Sequence, residues 1–391
     1  MIKRIKNPNG FWLEEKQDIQ DHIESFFHDI FSSSNPSESD LEECTAGLRS
    51  RLDTNMIQEL LKPYREDEIT NALFHMAPYK SPGPDVKHDI VQCALDILHG
   101  HSLFPKFNHT HIVLIPKCKN PELLSQFWPI SLCNVIYKIA SKVIANRLKP
   151  ILKQLISPNQ SAFVPGRLIT DNVLLAFEIN HFIKNKRKGK ISCMALKLDI
   201  SKAYDKIEWI FLRKVLEKLG FPQSFTDLIM HCVSSVTYSF MLSGKQFGFL
   251  TPQRGLRQGD PLSPYLYLIC TEALSSLLYR AEEHEELRGV VVCRTAPKIS
   301  HLLFADDTLI SCSTTRNSMR CVLRILETYE KAAGQKVNVQ KSSVAFSPNT
   351  PDSLKQEIAT EMGVNLETKH EKYLGLPSVI DKKKKEVFCI N

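Results

Sequence analysis

The chain has 391 residues, of which 43% are hydrophobic and 24% charged, enough apolar material for a sizeable core and more than one subdomain. No apolar run reaches the roughly 18 residues of a membrane-spanning helix, and the opening MIKRIKNPNGFWLEEKQDIQ lacks the apolar centre of a secretory signal, so an intracellular, unsecreted protein of nucleus or cytoplasm is expected, with no membrane partner. Eleven cysteines without a CxxC pair exclude a zinc ribbon or a secreted disulfide framework, and 50 basic against 43 acidic residues, a net +7, permit a polyanionic partner without requiring one.

In chain order, Ile19, Ile23, Phe26, Phe27 and Ile30 recur at helical spacing, and SSSNPSESD (Ser32–Asp40) reads as a linker. A second helix is expected over Arg65–Met76, ended by the Pro/Gly turn KSPGPD (Lys80–Asp85). HIVLIPK (His111–Lys117) is a β-branched run stopped by proline, a strand. The stripe Ile136, Ile139, Ala140, Val143, Ile144, Arg147 and Leu148, with basic residues beside it, predicts a long amphipathic helix. SAFVPGRLITDN (Ser161–Asn172) is a turn entering a helix over Val173–Lys184, and KNKRKGK (Lys184–Lys190) is a basic loop.

In ISCMALKLDISKAYDKIEW, Met194, Leu196, Leu198 and Ile200 alternate with Cys193, Ala195, Lys197 and Asp199, which predicts a strand with one apolar face. Helical spacing from Ile210 to Leu219 follows, closed by Gly220 and Pro222. SVTYSFMLSGKQFGFLTP predicts a β-hairpin around Ser243-Gly244, and the Gly- and Pro-rich RGLRQGDPLSP leads into a buried helix from Ser263-Pro264. In HLLFADDTLI two apolar runs flank Asp306-Asp307, which suits a hairpin with both carboxylates at its tip. A helix over Met319–Ala333 and a turn and strand in GQKVNVQKSSVAFS complete the pattern. Strands and helices follow no regular βαβ alternation, so an α+β fold is expected.

Adjacent aspartates inside an apolar segment need compensation, because an unpaired buried charge is costly. If the strand and hairpin share a sheet, Asp199 and Asp306 converge from neighbouring strands. Clustered carboxylates suit Mg²⁺, which takes its remaining ligands from water and phosphate. Two such ions, roughly 3.5–4 Å apart, can activate a hydroxyl and stabilise a leaving oxygen in phosphoryl displacement. The bland alternative is a solvated Asp-Asp turn with Asp199 as a helix N-cap. In RGLRQGDPLSP, Gly255 and Gly259 would let the backbone approach a ligand, with Arg257 and Gln258 as side-chain donors. The alternative there is an ordinary helix-entry loop.

The ordered set LDISKAYDKIEW, GLRQGDPLSP, FADD and GQKVNVQKSS resembles the palm of a reverse transcriptase, of the kind found in non-LTR (long interspersed) retrotransposons of plants. YREDEITNAL with KSPGPD, FNHTHIVLIPK, PISLCNVIYKIASKVIANRLKPIL, SPNQSAFVPGRLITDN and KYLGLP extend the resemblance from about residue 10 to 378. It implies a right-hand polymerase fold, with fingers and an antiparallel palm sheet packed on helices and the thumb largely missing. The regions would be a helical extension over 1–75, a fingers-like region over 76–190, a palm over 191–350, and a truncated thumb with basic tail over 351–391.

For the site, the resemblance implies Asp199 and Asp306 as catalytic metal ligands assisted by Asp307, with the Ile200 carbonyl as a further ligand for two Mg²⁺ ions, or Mn²⁺ in their place. Tyr204 matches the aromatic gate that rejects a ribose 2′-hydroxyl. Arg257, Gln258 and Gly259 fall in the loop that meets the nucleotide, and Lys341 matches the lysine that protonates pyrophosphate. Partners would be an RNA template, a DNA primer and deoxynucleoside triphosphates. The chain departs from the pattern at Trp128, where relatives carry an arginine facing the triphosphate, and at Val86 after KSPGPD, and a protein without a preceding endonuclease region is expected. The competing expectations are an active RNA-directed DNA polymerase domain, a non-catalytic retroelement remnant that at most binds nucleic acid, and an unrelated two-metal phosphotransferase.

Overall fold

The computed structural model describes residues 2–76, 84–100, 107–367, 372–374 and 376–377. In chain order the elements are β1 (Ile5–Lys6), β2 (Trp12–Leu13), α1 (Lys16–Phe31), α2 (Glu38–Thr45), α3 (Thr54–Leu61), α4 (Glu66–Met76), α5 (Pro84–Leu98), β3 (His109–Pro116), β4 (Phe127–Leu132), α6 (Val135–Leu148), α7 (Leu152–Leu155) and α8 (Ile169–Asn185). They continue with β5 (Cys193–Leu198), β6 (Ile200–Ser201), α9 (Trp209–Lys218), α10 (Gln223–Ser234), β7 (Thr237–Leu242), β8 (Lys245–Leu250) and α11 (Ser263–Glu283). The last are β9 (His301–Phe304), β10 (Asp307–Ser313), α12 (Arg316–Ala333), β11 (Lys336–Val337), β12 (Ser343–Phe346), α13 (Asp352–Met362), β13 (Asn365–Glu367), β14 (Lys372–Tyr373) and β15 (Leu376–Pro377). The fold is mixed α/β. No helix among the described residues is long and apolar enough to cross a membrane.

Two compact units divide the chain: Met1–Asn35 with Arg49–Leu152 and Tyr204–Tyr267, and Pro36–Leu48 with Lys153–Ala203 and Leu268–Asn391. The first is built on a four-stranded sheet, order β4-β3-β7-β8, in which β3 and β7 run parallel and the other pairs antiparallel. The β7–β8 turn has positive φ at both Ser243 (53°) and Gly244 (76°), the I′ geometry whose twist matches a hairpin. Helix α1 buries Ile19, Ile23, Phe27, Ile30 and Phe31, as its spacing requires. Phe27 stacks on Phe240 at 5.2 Å and Phe31 lies against Tyr238 at 5.1 Å. Each such ring contributes roughly 1.5–3 kcal/mol by leaving water.

The second unit carries a five-stranded sheet, order β13-β12-β5-β10-β9. The larger sheet is therefore mixed and not purely antiparallel, because α13 carries the chain back across it and β13 joins β12 in parallel. Central β5 has neighbours on both edges and is buried on both faces except at half-buried Lys197, which corrects the expectation of a single apolar face. Cys193 and Ala195 pack with Leu302 and Leu309 against Ala176, Ile179 and Ile183 of α8.

Several boundaries differ from expectation for local reasons. The linker after Ser32 gives way at Glu38 to α2, where Ser37 and Asp40 form a capping box. Helix α8 starts four residues before Val173, at Ile169. Thr315 caps the N-terminus of α12, its side chain accepting from Ser318 N–H, so that helix begins at Arg316. Helix α9 ends at Lys218 before Gly220, as expected, and a further helix outside the expectation, α10, follows at once with Pro222 just before its first turn. Of KSPGPD, residues 80–83 lie outside the described residues, and Pro84 opens α5. The tail from Asp381 to Glu386 also lies outside them.

Candidate active site

Asp199 directly follows β5, and its position is set from both sides. The adjoining strand β10 pairs with β5 through Thr308↔Leu198 and Leu309↔Lys197. The ladder ends at the first of these pairs, and Asp199 and Asp307 are the next residues along the two segments. Strand β9 pairs with β10 through Phe304↔Asp307, leaving Ala305 and Asp306 as a two-residue turn. The tip of the hairpin therefore carries Asp306 alone, and Asp307 is the first residue of β10, not a tip residue as expected.

Asp306 is exposed at the turn, yet enough protein rings its carboxyl to be felt. Loss of hydration raises its pKa, and the charge of Asp199 raises it further. At half-buried Asp307, desolvation and then Asp306 raise the pKa, Lys197 opposes them, and Asp199 adds to the rise. The three carboxylates thus form one electrostatic group with Lys197 as a nearby cation. Tyr373, of the KYLGLP segment, is buried beside it. Its hydroxyl donates to Asn172 Oδ1 at 3.0 Å, and burial, with Asp307 adding to it, raises its pKa.

The segment between β11 and β12 clasps the Asp199 backbone. Asn338 N–H donates to the Asp199 carbonyl at 2.8 Å. Asp199 N–H donates to Ser342 Oγ at 3.2 Å, and Ser342 Oγ–H donates to the Asn338 carbonyl at 2.8 Å. Lys341 lies in this same turn with an exposed side chain. Ile200 begins β6, paired with Val337 of β11. Asn338 and Ser342 both fall inside the GQKVNVQKSS motif, yet nothing local in it marks them as partners of Asp199, 139 and 143 positions away.

In the other unit, Tyr204 is half-buried and stacks on Tyr267 at 4.6 Å with an 11° interplanar angle. Its carbonyl accepts from Leu256 N–H at 2.8 Å, tying it to the RGLRQGDPLSP loop. Gly255 in that loop has φ +101°, and a Cβ there would lie 2.6 Å from the Asp205 carbonyl oxygen, so glycine is required. Gln258 is half-buried, donates from Nε2 to Asp205 Oδ1 at 3.0 Å, and its carbonyl accepts from Ser131 N–H at 2.9 Å. Gly259 is exposed with φ +107°.

Arg257 departs from the expectation. Its side chain is 2% exposed and paired with equally buried Asp260 at 3.0 Å. It donates to Asn108 Oδ1 and to the Cys232 carbonyl, and its guanidinium lies over the Tyr137 ring at 3.9 Å. Burial alone would weaken its hold on the proton; Tyr137 and Asp260 outweigh that and raise its pKa. A guanidinium so enclosed anchors the loop and has no face left for a nucleotide. Arg254 is likewise turned inward, bonded to Glu208 Oε1 at 3.0 Å and to the Ile30 carbonyl at 2.8 Å. With both arginines used internally, Gly259 is the exposed residue of RGLRQGDPLSP, beside half-buried Gln258 with its amide on Asp205.

Asp199, Asp306 and Asp307 are oxygen-only donors, and at the latter two desolvation first and neighbouring carboxylates second raise the pKa, a cost that a hard divalent cation relieves. Among the described residues no three or more His, Cys, Asp or Glu side chains are grouped to hold a metal by themselves. Asp199, Asp306 and Asp307 are the side chains that could contribute oxygens to a divalent cation, whose other ligands would come from phosphate and water.

The family model described as reverse transcriptase (RNA-dependent DNA polymerase) matches residues 115–378. The "Transposon TX1 uncharacterized 149 kDa protein" of Xenopus laevis is 28% identical, over 94% of this chain and 28% of its own length. The "Retrovirus-related Pol polyprotein from type-1 retrotransposable element R2" of Popillia japonica is 26% identical, over 73% of this chain and 40% of its own. The "Probable RNA-directed DNA polymerase from transposon BS" of Drosophila melanogaster is 24% identical, over 95% of this chain and 42% of its own. The chain thus spans less than half the length of each of these relatives.

Proposed function

Because the chain belongs to the reverse transcriptase (RNA-dependent DNA polymerase) family, we propose that it is the polymerising domain of a non-LTR retrotransposon. It extends a DNA primer on an RNA template by adding deoxynucleotides to the 3′-hydroxyl and releasing pyrophosphate. The observation that carries this reading is the sheet register, which brings Asp199 at the end of β5 beside the β9–β10 hairpin that holds Asp306 and Asp307. Origin in a plant element and action in nucleus or cytoplasm belong to the same proposal, on the motifs alone.

Asp199 and Asp306, assisted by Asp307 and the Ile200 carbonyl, would hold two Mg²⁺ ions, with Mn²⁺ as a substitute. When bound, such ions neutralise phosphate charge and acidify the attacking hydroxyl. The Asn338–Ser342 clasp holds Asp199 in place, so that little reorganisation is needed on binding. Lys341 Nζ offers a proton and a positive charge to the departing pyrophosphate. The Tyr204 ring, stiffened by stacking on Tyr267, excludes a 2′-hydroxyl. Gln258 and Gly259 meet the nucleotide, while Arg257 positions their loop. In this reading the stretch 191–350 acts as palm, 76–190 as fingers, 1–75 as an N-terminal extension and 351–391 as the start of a thumb.

Trp128 favours a second reading, a remnant that binds nucleic acid without turnover. It stands where the family pattern has arginine, with its ring 48% exposed on β4 opposite Ile115. Primer extension on an RNA template with Mg²⁺ separates the two. Extension abolished by Asp306→Ala supports the polymerase. No extension from folded protein, even after Trp128→Arg, supports the remnant.

A further inference from the structure

The turn that presents Asp306 has an unusual first residue. Ala305 takes φ 52°, a conformation in which glycine is preferred, and it is the only turn residue between β9 and β10 with positive φ. A II′-like turn with alanine in that place is strained and needs outside support. The support comes from a residue 145 positions away.

Gln160 is fully buried. Its Oε1 accepts from Ala305 N–H at 3.1 Å and from Ala162 N–H at 3.0 Å, while Nε2 reaches the Ala305 carbonyl at 3.5 Å. One side-chain amide thus brackets both backbone groups of the strained residue. Its own backbone is fastened to the same hairpin. Gln160 forms a parallel bridge with Leu303, Ser161 N–H donates to the Leu303 carbonyl at 3.1 Å, and Leu303 N–H donates to the Asn159 carbonyl at 2.8 Å. Asn172 Nδ2 adds a second bond to the Leu303 carbonyl at 3.0 Å. The segment before α8 therefore acts as a further strand on the edge of β9, with the Gln160 amide aimed at the turn.

We propose that Gln160 is a positioning residue: by holding Ala305 at positive φ it fixes the direction in which Asp306 leaves the turn. The inference rests on the reading of Asp306 as a catalytic carboxylate, but its structural half stands apart from that reading. The competing account, a glutamine that merely fills the core, predicts a loss of stability without a selective effect on the turn.

Three variants separate these accounts: Gln160→Met, which keeps volume and removes the amide; Ala305→Gly, which adopts positive φ unaided; and the two together. Hydrogen exchange of the 301–308 segment is measured on the metal-free protein, alongside the melting temperature. Gln160→Met is expected to speed exchange at Ala305 by about tenfold or more, from loss of the bracketing bonds. In primer extension with Mg²⁺, kcat is expected to fall about tenfold while KM for the deoxynucleotide changes less than about twofold, since only the metal-facing carboxylate is misaligned. Adding Ala305→Gly should restore most of kcat without restoring the melting temperature. Unchanged exchange at Ala305 in Gln160→Met overturns the proposal, as does a kcat that Ala305→Gly fails to rescue in a folded double variant. If the unmodified chain extends no primer, the polymerase reading fails by itself and the exchange measurement still decides the role of Gln160.

Discussion

Replacing Arg257 by methionine tests whether this arginine anchors its loop. The substitution keeps a long apolar side chain in the cavity and removes the charge. Asp260, whose side chain is 2% exposed, would then lack its cation while keeping the Tyr137 hydroxyl at 2.7 Å and Leu262 N–H at 2.9 Å. Removing one partner of a buried ion pair costs about 3–5 kcal/mol, because the remaining charge stays desolvated. The orphaned Asn108 Oδ1 pushes the value toward the upper end, while the Cys232 carbonyl keeps its bond from Asn108 Nδ2 at 3.1 Å and the two retained donors to Asp260 push the value down. A loss of about 3–4 kcal/mol is expected. The assay is urea denaturation followed by tryptophan fluorescence. All three tryptophans of the chain, Trp12, Trp128 and Trp209, fall in the unit that holds Arg257. Trp209 also donates from Nε1 to the Gly255 carbonyl at 2.8 Å, inside the loop itself. The double variant Arg257→Met/Asp260→Leu should recover much of the loss, since an apolar replacement of a buried pair is often neutral or better. A cost below about 1 kcal/mol for Arg257→Met would refute the anchoring argument, because that is the range of an exposed ion pair.

Asp306→Asn is expected to raise the melting temperature of the metal-free protein at neutral pH. A carboxyl whose pKa is raised by folding binds its proton more tightly in the folded state. It favours the fold below the ordinary Asp value of about 3.9 and loses that advantage as pH rises through the raised value. The gain from asparagine should therefore fade on acidification, and a gain that persists at low pH would argue against the electrostatic cause. Ser342→Ala removes the acceptor for Asp199 N–H and should slow primer extension by roughly tenfold with little change in deoxynucleotide KM; an unchanged rate would show the clasp to be dispensable. Trp128→Arg should raise extension and lower KM for the triphosphate, by about tenfold if the new charge reaches phosphate. The same substitution should leave thermal stability nearly unchanged, since the Trp128 ring is already half exposed.

Much of the local structure is set by short-range signals. The spacing of Ile19, Ile23, Phe27 and Ile30 yields α1, Ser243-Gly244 closes a hairpin, and the β-branched run from His111 becomes β3. The carboxylates were legible for the same reason: charge inside an apolar segment is a local anomaly in the sequence. Three things were not. The burial of β5 on both faces depends on strands and a helix supplied from elsewhere in the chain. Arg257 and Gln258 are adjacent donors in one loop, and no local rule says that the first is buried on Asp260 while the second stays half-buried on Asp205. The support of Ala305 by Gln160 joins residues 145 positions apart. Periodicity and turn chemistry act over a few residues, so they place a group on its element. Which groups desolvate one another, and which hydrogen bonds hold a strained turn, follows only once distant segments pack together.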